Sequence, residues 1–196
     1  HDASEFYRRF PSPILTDDQT VNWTNELAES LAPGSMFCRS AADMAELPDN
    51  SVSLVVTSPP YFVGKDYELA VADNPQADTV PATYLDYLEM LRSVFAECRR
   101  VLEPGGRIAV NVANLGRKPY RSLSADVIGI LQDDLGLLLR GEVVWRKAKA
   151  SGGSCAWGSF ARASNPVLRD TTERIVVAAK GSFSRAIPVA GRAKLG

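Results

Sequence analysis

The chain is poor in the residues from which metal centres and disulfide frameworks are built. Its single histidine is the first residue, His1, so a histidine-based metal site and a Ser-His-Asp relay have nothing to stand on. Its three cysteines, Cys38, Cys98 and Cys155, lie far apart with no CxxC spacing. That pattern excludes a disulfide-stapled domain and points to reduced thiols in a cytoplasmic protein. No apolar run approaches the roughly 18 residues that a membrane span needs, and no signal-peptide pattern is present. No metal and no membrane partner are therefore expected.

What is present suits one globular domain: 196 residues, 45% hydrophobic and 23% charged, enough to bury a core. The net charge of −1 hides an asymmetry. From His1 to Leu139 there are 20 acidic and 11 basic residues; from Arg140 to Arg185 there are 9 basic and 3 acidic. A basic third beside an acidic remainder suggests a local polyanion contact, and a charge-balanced fold would produce the same pattern. The chain opens on His1 rather than Met, as a trimmed product or a piece of a longer protein would.

The most informative stretch is Ser51 to Tyr61, SVSLVVTSPPY. Val52, Leu54, Val55 and Val56 predict a short strand buried on both faces. The prolines of Thr57-Ser58-Pro59-Pro60-Tyr61 fix φ and remove two backbone donors, so the strand must end there in a stiff loop. A bare Ser-Pro-Pro is often only a turn. Placed directly after a buried strand, where open α/β sheets bind ligands, it becomes a polar pocket with an aromatic stacking face.

Residues 1–35 form an N-terminal arm in which Trp23, Leu27 and Leu31 recur at helical spacing up to Pro33-Gly34. Met36 to Cys38 predicts a short strand and Ala41 to Leu47 a short helix. A glycine-containing loop with Lys65 and Tyr67 follows the SPPY stretch. Thr83 to Leu102 is strongly amphipathic, with Tyr84, Tyr87, Leu88, Leu91, Val94, Phe95, Cys98 and Leu102 on one face, a core stripe. Pro104-Gly105-Gly106 ends that helix and leads into the buried strand Arg107–Val112, completing a right-handed crossover unit. Asn111 and Asn114 then fall on the predicted ligand edge. A helix over Ser124–Leu139 and strands over Glu142–Lys147 and Glu173–Lys180 complete the pattern, the last two read as an antiparallel edge pair.

Between those strands lies an insert, residues 148–172, AKASGGSCAWGSFARASNPVLRDTT. It reads either as a glycine-rich surface loop or as a nucleic-acid contact. Trp157 and Phe160 interleave with Lys147, Lys149, Arg162 and Arg169 and with hydroxyl residues such as Ser154 and Ser159, which is how such surfaces are made. Long ordered loops in compact domains are usually functional.

TSPPY resembles motif IV of the DNA amino-methyltransferases. With TSPPYFVGKDYE, RVLEPGGRIAVNVAN, RGEVVWRKAKASGGSCAWGS and NPVLRDTTERIVVAAKG in that order, the chain from about Met36 to Gly181 resembles the permuted (β-class) site-specific DNA methyltransferases of the N4-cytosine/N6-adenine group. The resemblance implies an α/β fold: a Rossmann-like, S-adenosylmethionine-dependent methyltransferase sheet in three αβα layers, mostly parallel with an antiparallel edge pair. The catalytic domain would comprise 36–147 and 173–181, with 148–172 an inserted target-recognition loop. The family's glycine-rich DPFxGSGTT motif is not found, so the sheet is expected to be incomplete and 182–196 to lead into a missing C-terminal part.

The same resemblance implies roles for individual residues. Ser58 and the Pro59 carbonyl would accept hydrogen bonds from the exocyclic amino group of a flipped base, Pro59 and Pro60 would hold those acceptors still, and Tyr61 would stack on the base. Transfer would be direct, with no cysteine nucleophile. Thr57, Ser58 and Asp43 are the cofactor-side candidates; Asp43 stands in for a Gly-Asp pair that reads Cys38-Arg39-Ser40 here. Lys65, Lys147, Lys149, Ser154, Trp157, Ser159, Arg162 and Arg169 are the candidates for double-stranded DNA. Serine at the first motif position goes with N4-cytosine; N6-adenine is the alternative, and a non-catalytic DNA- or partner-binding fragment is the alternative of another class. An RNA or small-molecule methyltransferase fits the motif order less well. A cognate restriction endonuclease and a homodimer are further implied partners.

Overall fold

The computed structural model describes residues 5, 8–18, 20–21, 36–37, 39–63, 81–114, 119–147 and 172–185. Strand β1, Val52–Thr57, is followed by helix α1, Tyr84–Val101, and strand β2, Leu102–Val112. Helix α2, Leu123–Gly129, runs into a π turn over Ile130–Asp134. Strands β3, Leu138–Arg146, and β4, Thr172–Ala179, close the described part. The sheet order is β1-β2-β4-β3.

β1 and β2 are parallel, as a strand–helix–strand crossover requires. β4 then inserts antiparallel between β2 and β3. The expected antiparallel pair is present, and of the three described pairings only β1·β2 is parallel. The consequence is positional. The carboxyl ends of β1, β2 and β3 and the amino end of β4 all meet at one edge: Thr57 lies beside Val110, Val112 beside Arg174, and Trp145 beside Glu173.

α1 forms where the apolar stripe predicts it. Thr83 caps it, accepting from the Asp86 amide while the Asp86 carboxylate takes the Thr83 amide, which satisfies two orphan donors of the first turn. Tyr87, Leu91, Phe95, Cys98 and Val101 are its buried face. All of these but Val101 pack with Leu123, Val127 and Leu131 against Ile108, Val110, Val112, Val176 and Ala178 of one sheet face. Each buried Leu, Ile, Val or Phe side chain among them contributes about 1.5–3 kcal/mol.

Five expectations are corrected. β1 is not buried on both faces: Leu54 and Val56 are 56% and 72% exposed. They alternate with Val55, and among the described residues both helices cover the opposite face. The helix expected over Ser124–Leu139 stops early, because the chain widens into a π turn and Gly136 turns left-handed at φ +63°. β3 therefore begins at Leu138, four residues before the expected start. Met36 and Phe37 are not in a strand, and 41–47 is a set of turns rather than a helix. Those turns are held from outside: Arg100 donates to the carbonyls of Met44 and Leu47 and pairs with Asp49, and the Met44 amide donates to Glu97. The arm's predicted helix lies outside the described residues, as does 148–171 of the insert. Of the arm, Ile14 and Thr16 donate to the carbonyls of Gly136 and Gly181.

The edge opposite the strand carboxyl ends is locked by ions and hydrogen bonds. Lys180 donates to Asn50 and to the Arg100 carbonyl, and Arg185 bridges buried Glu103 and Ser53. Gly105, at φ +74°, lets this corner close; a Cβ there would lie 2.0 Å from the Ser184 carbonyl oxygen. No described helix is long and apolar enough to cross a membrane.

This packing has two measurable consequences. Gly105→Ala combines a left-handed conformation with a backbone collision, so it should cost about 2–4 kcal/mol; urea unfolding should show a lower midpoint at unchanged slope. Burial pushes the Cys98 thiol up to about 11, so a thiol reagent at pH 8 should leave Cys98 unmodified in the folded protein and label it in urea. Peptide mapping reads both results.

Candidate active site at the carboxyl edge of the sheet

β1 delivers Thr57 to the edge, and the Pro59-Pro60 pair turns the chain across it. The loop is held by aromatic rings. Tyr87 of α1 donates to the Pro60 carbonyl at 2.5 Å. Phe62 stacks on Tyr87 with centroids 5.3 Å apart and an interplanar angle of 15°, and Tyr84 packs beside both. Phe62 has φ +54°, an uncommon conformation for an aromatic residue that persists only where the surroundings enforce it. Tyr84 is itself anchored, donating to Asp126 at 2.7 Å.

This arrangement brings Ser58 and Tyr61 together, their hydroxyl oxygens 3.2 Å apart. Asn111, one residue beyond the Val110 that pairs with Thr57, donates through Nδ2 to the Tyr61 oxygen at 3.1 Å. The same Nδ2 donates to Oε2 of Glu173 at 2.6 Å, and Tyr61 donates to that oxygen at 3.4 Å. Lys147 forms an ion pair with Oε1 of Glu173. Ser58, Tyr61, Asn111, Glu173 and Lys147 are thus one connected polar cluster, drawn from β1, β2, β4 and the end of β3.

Its electrostatics follow from burial and pairing. Burial raises the Tyr61 phenol above its ordinary value; the Ser58 bond opposes this and the Glu173 charge adds to it. Burial would also raise the Glu173 carboxyl, but the bonds from Lys147 and Asn111 outweigh it and hold the group below its usual range. At neutral pH the site contains a neutral phenol and a carboxylate. Among the described residues, buried Asn111 Oδ1 has no partner, a burden of about 1–3 kcal/mol.

The other sequence candidates fall in four different places. Lys147, expected on the DNA surface, has its ammonium on Glu173 and 5.9 Å from the Trp145 ring. Asp43 pairs with Arg39 at 2.8 Å. Its neighbour Met44 is tied to Glu97, ten residues along α1 from Tyr87, or about 15 Å at the helical rise. The contacts of Asp43 do not join it to the Ser58–Tyr61 cluster. Lys65, Lys149, Ser154, Trp157, Ser159, Arg162 and Arg169 lie outside the described residues. Asn114, placed on the ligand edge with Asn111, is instead buried against Ser124, exchanging two hydrogen bonds that pin the start of α2. Glu173 was not anticipated as a site residue; the available signal was a carboxylate near the start of the strand TERIVVAA, ahead of its apolar run.

Comparison with known proteins places this geometry in a family. Residues 52–189 match the N6/N4 family of DNA methylases, and the chain belongs to that family. It is 33% identical over 141 residues to the type II methyltransferase M.MjaVI of Methanocaldococcus jannaschii, covering 71% of this chain and 68% of that one. It is 32% identical over 151 residues to M.SfiI of Streptomyces fimbriatus, covering 65% of this chain and 34% of the relative. A Thermus thermophilus protein described as a DNA modification methylase, solved in complex with S-adenosyl-L-methionine, superposes with a TM-score of 0.56 at 25% identity. That match covers 80% of this chain and 59% of the other. The cytosine-N4-specific PvuII DNA methyltransferase shares the fold, with a TM-score of 0.56 at 18% identity over 77% of this chain and 50% of its own. The chain thus spans between about a third and about two thirds of the length of these relatives.

The Glu173–Lys147 pair makes a pH prediction. A carboxylate held low in the folded state adds stability that is complete above its unfolded value, about 4.3, and is lost as pH falls through the folded value. In urea unfolding from pH 7 to pH 3, Glu173→Gln should lose stability less steeply than the wild type in the acid range. Equal slopes would contradict the pairing.

Proposed function

We propose that this chain transfers a methyl group from S-adenosylmethionine to the exocyclic N4 amino group of a cytosine turned out of double-stranded DNA. The observation that carries the reading is the Ser58-Pro59-Pro60-Tyr61 loop at the carboxyl end of β1, clamped by Tyr87 and joined through Tyr61 to Asn111 and Glu173. Membership of the DNA methylase family supports it, as does the likeness to a Thermus protein solved with S-adenosyl-L-methionine. Serine rather than an acidic residue or its amide at the first motif position supports cytosine over adenine. The order of elements, with the SPPY strand ahead of the crossover and the insert, supports the permuted arrangement.

The described residues fit the acceptor side of the reaction. An exocyclic amino group is a weak nucleophile because its electron pair is delocalised into the ring. Hydrogen bonds from its protons to the Ser58 hydroxyl oxygen and the Pro59 carbonyl favour a pyramidal nitrogen and free that pair. Pro59 and Pro60 keep the acceptors from reorganising, and the Tyr87 bond to the Pro60 carbonyl fixes the loop against α1. Tyr61 offers the ring on which an extruded base stacks, offsetting part of the cost of unstacking. S-adenosylmethionine, when bound, would supply the methyl group as an electrophile: the amino nitrogen's pair forms the N–C bond, the S–C pair stays on sulfur and leaves as the neutral thioether S-adenosylhomocysteine, and one amino proton passes to solvent. On the donor side, the carboxylate assigned by resemblance, Asp43, is occupied by Arg39, and no step is routed through it. The basic insert is the natural contact for the DNA backbone.

The test is transfer of label from S-adenosylmethionine to mixed-sequence duplex DNA, with hydrolysis to identify the methylated base. The expected product is N4-methylcytosine, and Ser58→Ala should lower kcat about 10²–10³-fold, the scale of losing one preorganised site hydrogen bond. Label on adenine N6 would replace the base assignment. DNA binding without transfer would leave a binding fragment.

A further inference from the structure

Glu173 is the hub of the polar cluster, and its chemistry fixes the direction of every hydrogen bond around it. Its side chain is 6% exposed. An ionised carboxylate only accepts, so each neighbour on it must donate. Lys147 donates to Oε1, while Asn111 Nδ2 and Tyr61 donate to Oε2. With its proton directed to Glu173, the Tyr61 oxygen accepts from Asn111 at 3.1 Å and from Ser58 at 3.2 Å. A serine that gives its one proton to Tyr61 keeps its lone pairs for another partner. In the reverse direction the phenol oxygen would face the carboxylate lone pair to lone pair, and one Ser58 lone pair would be consumed.

Asn111 gives independent support. Turning its amide over would partner Oδ1 differently but bring it against the carboxylate. The amide instead keeps Nδ2 on Glu173 and leaves Oδ1 buried without a partner among the described residues. The carboxylate therefore sets the polarity of its surroundings even where this leaves an acceptor unsatisfied.

We propose that Glu173 is a positioning residue that orients the Ser58–Tyr61–Glu173 chain so that Ser58 Oγ meets the target base as a hydrogen-bond acceptor. The inference rests on the reading of Ser58 given above. An amino group needs acceptors for its protons. A serine pointing its own proton at the nitrogen would instead bind the electron pair required for attack. Glu173 thus acts on kcat through Tyr61 and Ser58, without touching the base.

Glu173→Gln is the direct test. Lys147 has only protons to offer, so the new amide keeps its oxygen on Lys147 and turns its NH₂ toward Tyr61, reversing the chain. With labelled S-adenosylmethionine and duplex DNA, kcat should fall about 10–100-fold while KM for DNA changes less than about threefold. In a Tyr61→Phe background, where the chain is already cut, the same substitution should change kcat less than about twofold. A merely structural role predicts the opposite: similar loss in both backgrounds, with KM and melting temperature moving together. Wild-type kcat in Glu173→Gln, or additive losses, would overturn the inference while leaving Ser58 in place. No transfer by the wild type would overturn the underlying reading and this inference with it. If Glu173→Gln does not fold, Tyr61→Phe decides, since unchanged kcat there rules out a chain running through the phenol.

Discussion

The antiparallel insertion of β4 between β2 and β3 is the constraint on which the site depends. Parallel strands bring only carboxyl ends to the ligand edge, and the polar residues they place there are their own. By running β4 the other way, the fold brings a strand's amino end to that edge, so Glu173 arrives beside Asn111, and the β3 residue Trp145 pairs with it. Lys147 follows immediately and supplies the counter-charge. Residues 61, 111, 147 and 173, remote in the chain, become a single hydrogen-bonded group because of one strand direction.

The two edges of the sheet are stabilised by different means. At the far edge, ion pairs and backbone hydrogen bonds from Arg100, Lys180 and Arg185 lock the entry to β1 and the turn into β2. At the site edge, an aromatic trio and a tyrosine-to-carbonyl bond hold the proline loop from beneath. Between them β1 has little freedom, and the hydroxyl at its end is placed before any ligand arrives. Preorganisation of this kind has a cost here, seen in the left-handed Phe62 and the orphaned Asn111 oxygen. A core of packed α1, α2 and sheet side chains offsets it.

How much was legible depended on whether the information was local. The α1 stripe, the β1-α1-β2 crossover and the SPPY loop were all readable, because spacing and backbone chemistry over a few residues dictate them. The turns over 41–47 were misread as a helix because Arg100 and Glu97, some fifty residues away, claim their backbone groups. The shortened α2 was missed because periodicity persists through a π turn that regular spacing does not reveal. Asn111 and Asn114 looked alike in the sequence, and only the positions of Ser124 and Glu173 separated a structural amide from one in the site.

The sequence by itself determined the apolar strand, the rigid proline loop with its serine and tyrosine, and the order of motifs that marks the family, since each is written in adjacent residues. The tertiary structure alone decided that Glu173 and Lys147 join Tyr61 and Asn111 in one hydrogen-bonded cluster, while Asp43 pairs with Arg39. Strand pairing sets which distant side chains meet, and a carboxylate becomes an organising charge only once it is buried among donors.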